Sequence, residues 1–389
     1  MHFATRLQAL QANVFADMDH AKAEAQAAGQ SLLDLSLGSS DLPTPAVVLD
    51  AIAAALHDPS THGYALFQST QPFRVAAAQA YTERYGLTID PETEVLPLIG
   101  CQEGTAHLPL ALLNPGDYAL LQDPGYPSHY GGVALAGGQI HTMPLRCENN
   151  FLPDWSEIPE AVLAQARLMV LSYPHNPTTA IAPLEFFQDA VAFCQRHDLV
   201  LAHDFPYADL VFDGAARPPS IFEADREKRR SIEFFTFSKS FNMGGFRIGY
   251  AIGNAQILKA LRQVKAVIDF NQYRGILRGA IAALEAGAAI VQPTVAAFEQ
   301  RRDVMVQALT QIGWPVAKPA ATMYLWTPIP EGWSGDDLAF CRQLVAQTGV
   351  ALAPGSGFGE AGAGYIRFAL VHEPLVLQEA VERIRSFIA

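Results

Sequence analysis

Cysteine is scarce. The four in this 389-residue chain (Cys101, Cys147, Cys194 and Cys341) are scattered, with no CxxC pair and no Cys/His ligand spacing. That excludes a disulfide framework and a structural zinc, so no metal is expected and a reduced, cytoplasmic setting is. Long apolar runs are missing too. The longest stretch free of charge, residues 124–145, holds prolines, glycines and histidines and cannot span a bilayer as an apolar helix. Near the N-terminus, Asp17, Asp19, Lys22 and Glu24 interrupt any apolar run, so no signal peptide is expected. Positive charge is in deficit, 26 Lys and Arg against 39 Asp and Glu, a formal charge of −13. Such a surface repels phosphate backbones and anionic lipid, which argues against nucleic acid and membrane as partners.

What is present is core-forming material: half the residues are hydrophobic and 17% are charged, which suits a folded chain of about two to three domains. Short apolar runs at 95–100, 118–123, 139–145, 167–173, 199–205, 233–238 and 247–253 read as strands. Helix-period stretches such as 104–113 and 184–197 lie between several of them. Strands rich in Val, Ile, Leu and Phe that alternate with helices imply an α/β fold with a mostly parallel, doubly wound sheet covered on both faces. After about residue 285 the texture changes to a long helix at 295–310, strands at 323–327 and 365–370, and helices at 336–348 and from 374. The expected division is a large domain over 46–285 and a smaller α+β domain formed by 1–45 with 286–389.

Ligands of open parallel sheets bind at the carboxyl ends of the strands, and here those ends are polar. They run into Cys101-Gln102-Glu103-Gly104, Asp123-Pro124-Gly125-Tyr126, Pro174-His175-Asn176-Pro177, Asp204-Phe205-Pro206-Tyr207 and Ser238-Lys239-Ser240. Turn chemistry accounts for each loop separately, but not for the combination. Of the six lysines, Lys22 and Lys228 sit among charges, Lys259 and Lys265 in a mixed helical segment, and Lys318 before a proline. Lys239 alone falls between two strongly apolar runs, 234–237 and 246–252. Partial desolvation lowers an amine's pKa and makes it a Schiff-base nucleophile. On context alone, Lys239 equally suits a structural lysine capping a turn.

The segment Ser238-Lys239-Ser240-Phe241-Asn242-Met243-Gly244-Gly245-Phe246-Arg247 resembles the cofactor-lysine segment of class I/II aminotransferases, pyridoxal-phosphate enzymes of fold type I. In the family's order, Asn176-Pro177-Thr178, Asp204-Phe205-Pro206-Tyr207 and Tyr365-Ile366-Arg367-Phe368 resemble three further motifs. The likeness covers nearly the whole chain. His62-Gly63-Tyr64 and Gly104-Thr105-Ala106-His107-Leu108 look closest to the diaminopimelate/alanine-type group. By this resemblance, Lys239 holds pyridoxal 5'-phosphate covalently and shuttles the proton at the substrate's Cα, and Asp204 pairs with the pyridine nitrogen. Tyr207 and Asn176 bond the ring oxygen, and Tyr126 stacks on the ring. Arg247, a hydroxyl of Thr236 or Ser238, and the helix start at Cys101, Gln102 and Glu103 bind the phosphate. Tyr64 reaches across from a second subunit, which implies a homodimer. Arg367, Asn176 and the backbone of Gly38 meet the substrate's α-carboxylate, and Arg274 is a candidate for the distal group.

Some positions depart from the family pattern. Cys101 stands where serine is common, Gln102 where this subgroup often has lysine, and His175 and Thr179 replace the usual asparagine and glycine. They bear on phosphate contacts and substrate identity, while the lysine, the ring carboxylate and the two arginines remain. The resemblance implies an aminotransferase that moves the α-amino group of an L-amino acid to a 2-oxo acid by a ping-pong mechanism in amino-acid metabolism. A β-eliminating lyase on the same fold, and a non-catalytic ligand sensor, are the alternatives. Ammonia release without oxo-acid consumption distinguishes the first. Ligand binding that survives Lys239→Ala distinguishes the second.

Overall fold

The computed structural model describes residues 1–10, 14–333 and 335–388. Its strands are β1 (Leu33–Asp34), β2 (Val95–Leu98), β3 (Tyr118–Asp123), β4 (Gln139–Pro144), β5 (Ala166–Ser172) and β6 (Val200–Asp204). They continue with β7 (Ser231–Thr236), β8 (Gly249–Gly253), β9 (Tyr324–Pro328), β10 (Val350–Ala351), β11 (Ala353–Pro354) and β12 (Tyr365–Ala369). The helices are α1 (Val14–Ala27), α2 (Ala46–Leu56), α3 (Gln71–Tyr85), α4 (Cys101–Leu112), α5 (Pro127–Ala136), α6 (Glu160–Leu163) and α7 (Leu184–Arg196). After them come α8 (Ile221–Ala224), α9 (Ala255–Ile268), α10 (Arg274–Ala286), α11 (Ala288–Gln311), α12 (Asp337–Thr348) and α13 (Pro374–Ile388).

Seven strands form one sheet in the order β2-β8-β7-β6-β5-β3-β4. Among them only β8 runs against its neighbours. Successive side chains of a strand point to opposite faces, and both faces here are buried. Leu168 and Val170 of β5 join one apolar cluster with α4, α5 and α9, while Met169 and Leu171 join another with α3, α7 and α10. Helix α7 fits that second face because Phe186, Phe187, Ala190, Val191 and Cys194 recur at helical spacing and are all buried. Burying one such Leu or Phe contributes about 1.5–3 kcal/mol.

A separate apolar cluster joins both chain ends. Met18, Ala21 and Ala25 of α1 pack with Phe298, Met305 and Leu309 of α11, Ile366 and Phe368 of β12 and Leu377 of α13. Strand β1 pairs in parallel with β10, and β9, β12 and β11 form a small antiparallel sheet. Tyr207, Leu210 and Phe212, which follow β6 in sequence, also enter this cluster, so the segment after Asp204 ties the large sheet to it. Among the described residues no single helix is long and apolar enough to cross a membrane. Helices α10 and α11 reach that length only as a pair bent by 84°.

The seven strands of the large sheet lie within about two residues of their sequence positions, with one instructive shift. The last was expected from residue 247 but begins at Gly249, because Arg247 adopts a left-handed conformation (φ 53°) that cannot pair in a ladder.

Candidate active site

Parallel strands bring their carboxyl ends to one edge of the sheet. Asp204 is the last residue of β6, Lys239 lies three residues beyond β7, and Cys101 and Gln102 open the helix that follows β2. These residues line a single cavity of about 830 Å³ together with Tyr126, Asn176, Tyr207, Thr236, Ser238, Arg247, Gly38 and Arg367.

Lys239 donates from Nζ to the carbonyl of Gly38 at 2.6 Å and lies 5.8 Å from the centre of the Tyr207 ring. Asp204 is buried. Its Oδ2 is 3.1 Å from Nε2 of His129, whereas Oδ1 has no well-formed hydrogen bond, although the Cys101 thiol stands close to the carboxylate. Burial, reinforced by that carboxylate, pushes the Cys101 thiol well up, so it is a neutral wall residue. Burial lowers His175 to about 3, helped by His129, so its ring is neutral as well. The Arg247 guanidinium lies over Gly100, where a side chain would collide: a Cβ there would sit 2.5 Å from Nη2. Thr236 donates to Ser238 Oγ at 3.0 Å beside it.

Arg367 is buried at 5% exposure. Its Nη1 donates to Asn176 Oδ1 at 2.8 Å and its Nη2 to the carbonyl of Ser36 at 2.7 Å, and its Nε is unpartnered. Its guanidinium stacks 4.2 Å over the ring of Tyr324, and no carboxylate among the described residues pairs with it. Tyr207 donates to the hydroxyl of Tyr324 at 2.9 Å. Burial raises both phenols. For Tyr324, Lys239, Arg367 and the bond from Tyr207 outweigh burial and hold it below its ordinary value, while Tyr207 stays well above. Tyr126 caps α5 and donates to Gln102 Oε1 at 3.3 Å, and burial raises it to about 12.

Three expected residues stand apart from this cavity. The Glu103 N–H is taken by the Gly100 carbonyl at 3.2 Å, and its carboxylate turns away to Lys265 at 2.9 Å because a buried acid requires a cation. The phosphate role expected of Glu103 is therefore corrected: its backbone donor is used inside the helix. Tyr64 is 88% exposed, and its ring meets that of Phe270 edge-on at 6.3 Å. Arg274 opens α10, with Nη2 3.5 Å from where a Cβ on Gly63 would lie, so Tyr64 and Arg274 share a patch outside their own chain's cavity. Lys265, in the mixed helical segment, is buried behind the first turn of α4. It is more deeply buried than Lys239, paired with Glu103 and, at 3.3 Å, with Asp269. Those two carboxylates and His107 have metal-ligand spacing, but the Lys265 ammonium bonds both carboxylates between them.

Sequence reading missed Tyr324 and His129. Tyr324 offered one signal, a hydroxyl in the otherwise apolar run Met323-Tyr324-Leu325-Trp326. His129 lies one turn into a helix that begins at a proline, with nothing local to mark it.

The donor set fits pyridoxal 5'-phosphate. A buried carboxylate oxygen without a partner suits a protonated pyridine nitrogen, a primary amine suits the aldehyde, and a guanidinium over a glycine with two hydroxyls beside it suits a phosphate. Sheet and site together define a fold type I enzyme dependent on this coenzyme. The family model for aminotransferase class I and II matches residues 30–384, and the chain belongs to that family. It is 40% identical over 387 residues to the LL-diaminopimelate aminotransferase of Dehalococcoides mccartyi, covering 100% of this chain and 99% of that one. A probable N-succinyldiaminopimelate aminotransferase from Thermus thermophilus superposes with a TM-score of 0.90 at 44% identity, covering 96% and 99% of the two chains. The substrate-bound BacF structure from Bacillus subtilis gives 0.95 at 34% identity, covering 100% and 98%. The protein is thus an aminotransferase acting between an amino acid and a 2-oxo acid, and neither the lyase nor the sensor is favoured.

Proposed function

We propose that the amino donor is a diaminopimelate-type amino acid, a long chain with a second charged head group, and that a 2-oxo acid such as 2-oxoglutarate or pyruvate collects the amino group. The relatives' names support the donor class. Arg367 carries the rest of the reading. A buried cation with only neutral acceptors is unstable unless an anion arrives, and an α-carboxylate can take both guanidinium nitrogens in one plane.

Each residue then has a task. Arg367 and Asn176 fix the donor's carboxylate so that its Cα–H faces Lys239. Lys239 Nζ would take that proton and return it two atoms away, on the coenzyme's side, as general base and acid. When bound, the coenzyme supplies an electron sink for the carbanion at Cα. Asp204, oriented by His129, holds the coenzyme's ring nitrogen protonated, and Tyr207 and Asn176 donate to its ring oxygen. Arg247, Thr236, Ser238, Gln102 and the first N–H groups of α4 hold its phosphate, and Tyr126 covers the ring.

The proposed unit is a cytoplasmic homodimer. Tyr64, Leu66, Val267 and Ile268 are exposed apolar or aromatic residues, and a second copy covering them would bring Tyr64 and Arg274 towards its neighbour's site. Residues 46–285 form the proposed large domain, and 1–45 with 286–389 the smaller. The test is single-turnover mixing of the yellow holoenzyme with one amino acid at a time. Fastest bleaching by LL-diaminopimelate or its N-succinyl derivative is expected. Faster bleaching by alanine or aspartate would overturn the donor, and ammonia release without an oxo acid would overturn transfer.

A further inference from the structure

Helix α1 forms one wall of the active-site cavity. Phe15, Met18, Asp19 and Lys22 all line it, and their spacing of three, four and seven residues puts them on one face of the helix. Two are apolar and two charged, and the charged pair is fixed in place. Lys22 Nζ lies 2.7 Å from Asp19 Oδ1 and 3.1 Å from Asp34 Oδ2, with the lysine side chain only 17% exposed. Asp34 is held in turn, accepting from the N–H and hydroxyl of Ser36 at 2.8 and 2.6 Å. The Ser36 carbonyl accepts from Arg367. A continuous chain of contacts therefore runs from the α-carboxylate position at Arg367 through Ser36 and Asp34 to Lys22 and Asp19.

Charge is graded across the cavity. The inner end carries Arg367, Lys239 and Arg247 against Asp204. The outer end carries two carboxylates against one ammonium, and the Asp19 carboxylate is 72% exposed and pairs, among the described residues, with Lys22. The far end of a donor anchored by its α-carboxylate at Arg367 would lie in the cavity that this wall lines.

We propose that Asp19 and Lys22 read the far end of the donor, Asp19 accepting from a free ammonium and Lys22 donating to a carboxylate. The far end they fit is a second, unmodified amino-acid head group. A far nitrogen acylated by a dicarboxylic acid has no ammonium for Asp19 and brings extra negative charge against it. The inference rests on the donor class proposed above and separates the two donors named by this chain's relatives.

The experiment compares kcat/KM for LL-diaminopimelate and N-succinyl-LL-diaminopimelate in the holoenzyme, using the ratio of the two as readout. In the unaltered protein the free donor is favoured at least about tenfold, as expected for one charge-assisted hydrogen bond. Asp19→Asn lowers the ratio about tenfold and Asp19→Lys inverts it. Lys22→Met slows both donors, because both carry a far carboxylate. Asp19 is exposed and, among the described residues, pairs with Lys22, so its replacement spares the core. Any general structural loss would slow both donors together and leave the ratio where it was. A ratio unchanged by Asp19→Asn and Asp19→Lys, or a preference of the unaltered protein for the succinylated donor, overturns the assignment. If the unaltered protein uses neither donor, the donor class itself fails, and that failure is visible before any variant is made.

Discussion

Two clusters of buried charge share the first turn of α4 and are built on opposite plans. Behind the turn, Lys265 donates to both Glu103 and Asp269, and the Glu103 carboxylate also accepts from the N–H of Ile99. In front of it, Asp204 keeps an unused oxygen and Arg367 has only neutral acceptors. The first cluster satisfies itself and serves the fold, fastening α9 to the helix whose start faces the phosphate position. The second is left incomplete by the chain, and what completes it comes from outside. Residues arranged for a ligand are commonly a burden on the empty fold, so the clusters should respond oppositely to mutation.

The largest effect is expected at Asp204. Asp204→Ala should cut kcat by more than about a thousandfold, because the developing charge loses its fixed partner, while urea unfolding of the coenzyme-free protein changes little. Arg367→Met should lower kcat/KM by about a hundredfold and leave the urea midpoint of the coenzyme-free protein equal or higher, since a buried unpaired cation has gone. Lys265→Met should do the reverse, costing about 3 kcal/mol of stability because Glu103 is left buried and unpaired. A stabilised Lys265→Met or a strongly destabilised Arg367→Met would break the contrast.

Smaller effects sharpen it. Tyr324→Phe removes the hydroxyl that meets the Tyr207 hydroxyl at 2.9 Å and should lower kcat/KM about five- to tenfold, the worth of one neutral hydrogen bond. His175 tests pH. Its pKa falls to about 3 in the folded chain from an ordinary 6.5, so the unfolded state binds the extra proton between those values. Its contribution is present above pH 6.5 and lost as pH falls. Between pH 6 and 4 the unaltered protein should lose about 1.4 kcal/mol per pH unit more than His175→Asn, read from urea midpoints.

Much of the fold was legible because alternating apolar residues on short strands carry their own signal. Leu168-Met169-Val170-Leu171 reads as a strand buried on both faces, and the structure divides those four residues between two clusters. The polar strand ends were legible for the same reason, since a parallel sheet brings its carboxyl edges together. Residues brought in by the second cluster were not. Tyr324 is 85 positions from Lys239, and nothing on its own strand tells which ring faces the cavity. The burial of Lys265 was not legible because its counter-charge, Glu103, lies 162 residues away. Asp19 and Lys22 look like any solvated pair on a helix until α1 is seen against the cavity.

Everything turns on which lysine carries the coenzyme: Lys239 in the incomplete cluster, or Lys265 in the complete one. Borohydride reduction of coenzyme-saturated protein, followed by peptide mapping, answers this directly. A stable pyridoxyl group on Lys239 alone is the predicted result, and a label on Lys265, or none on Lys239, would contradict the account.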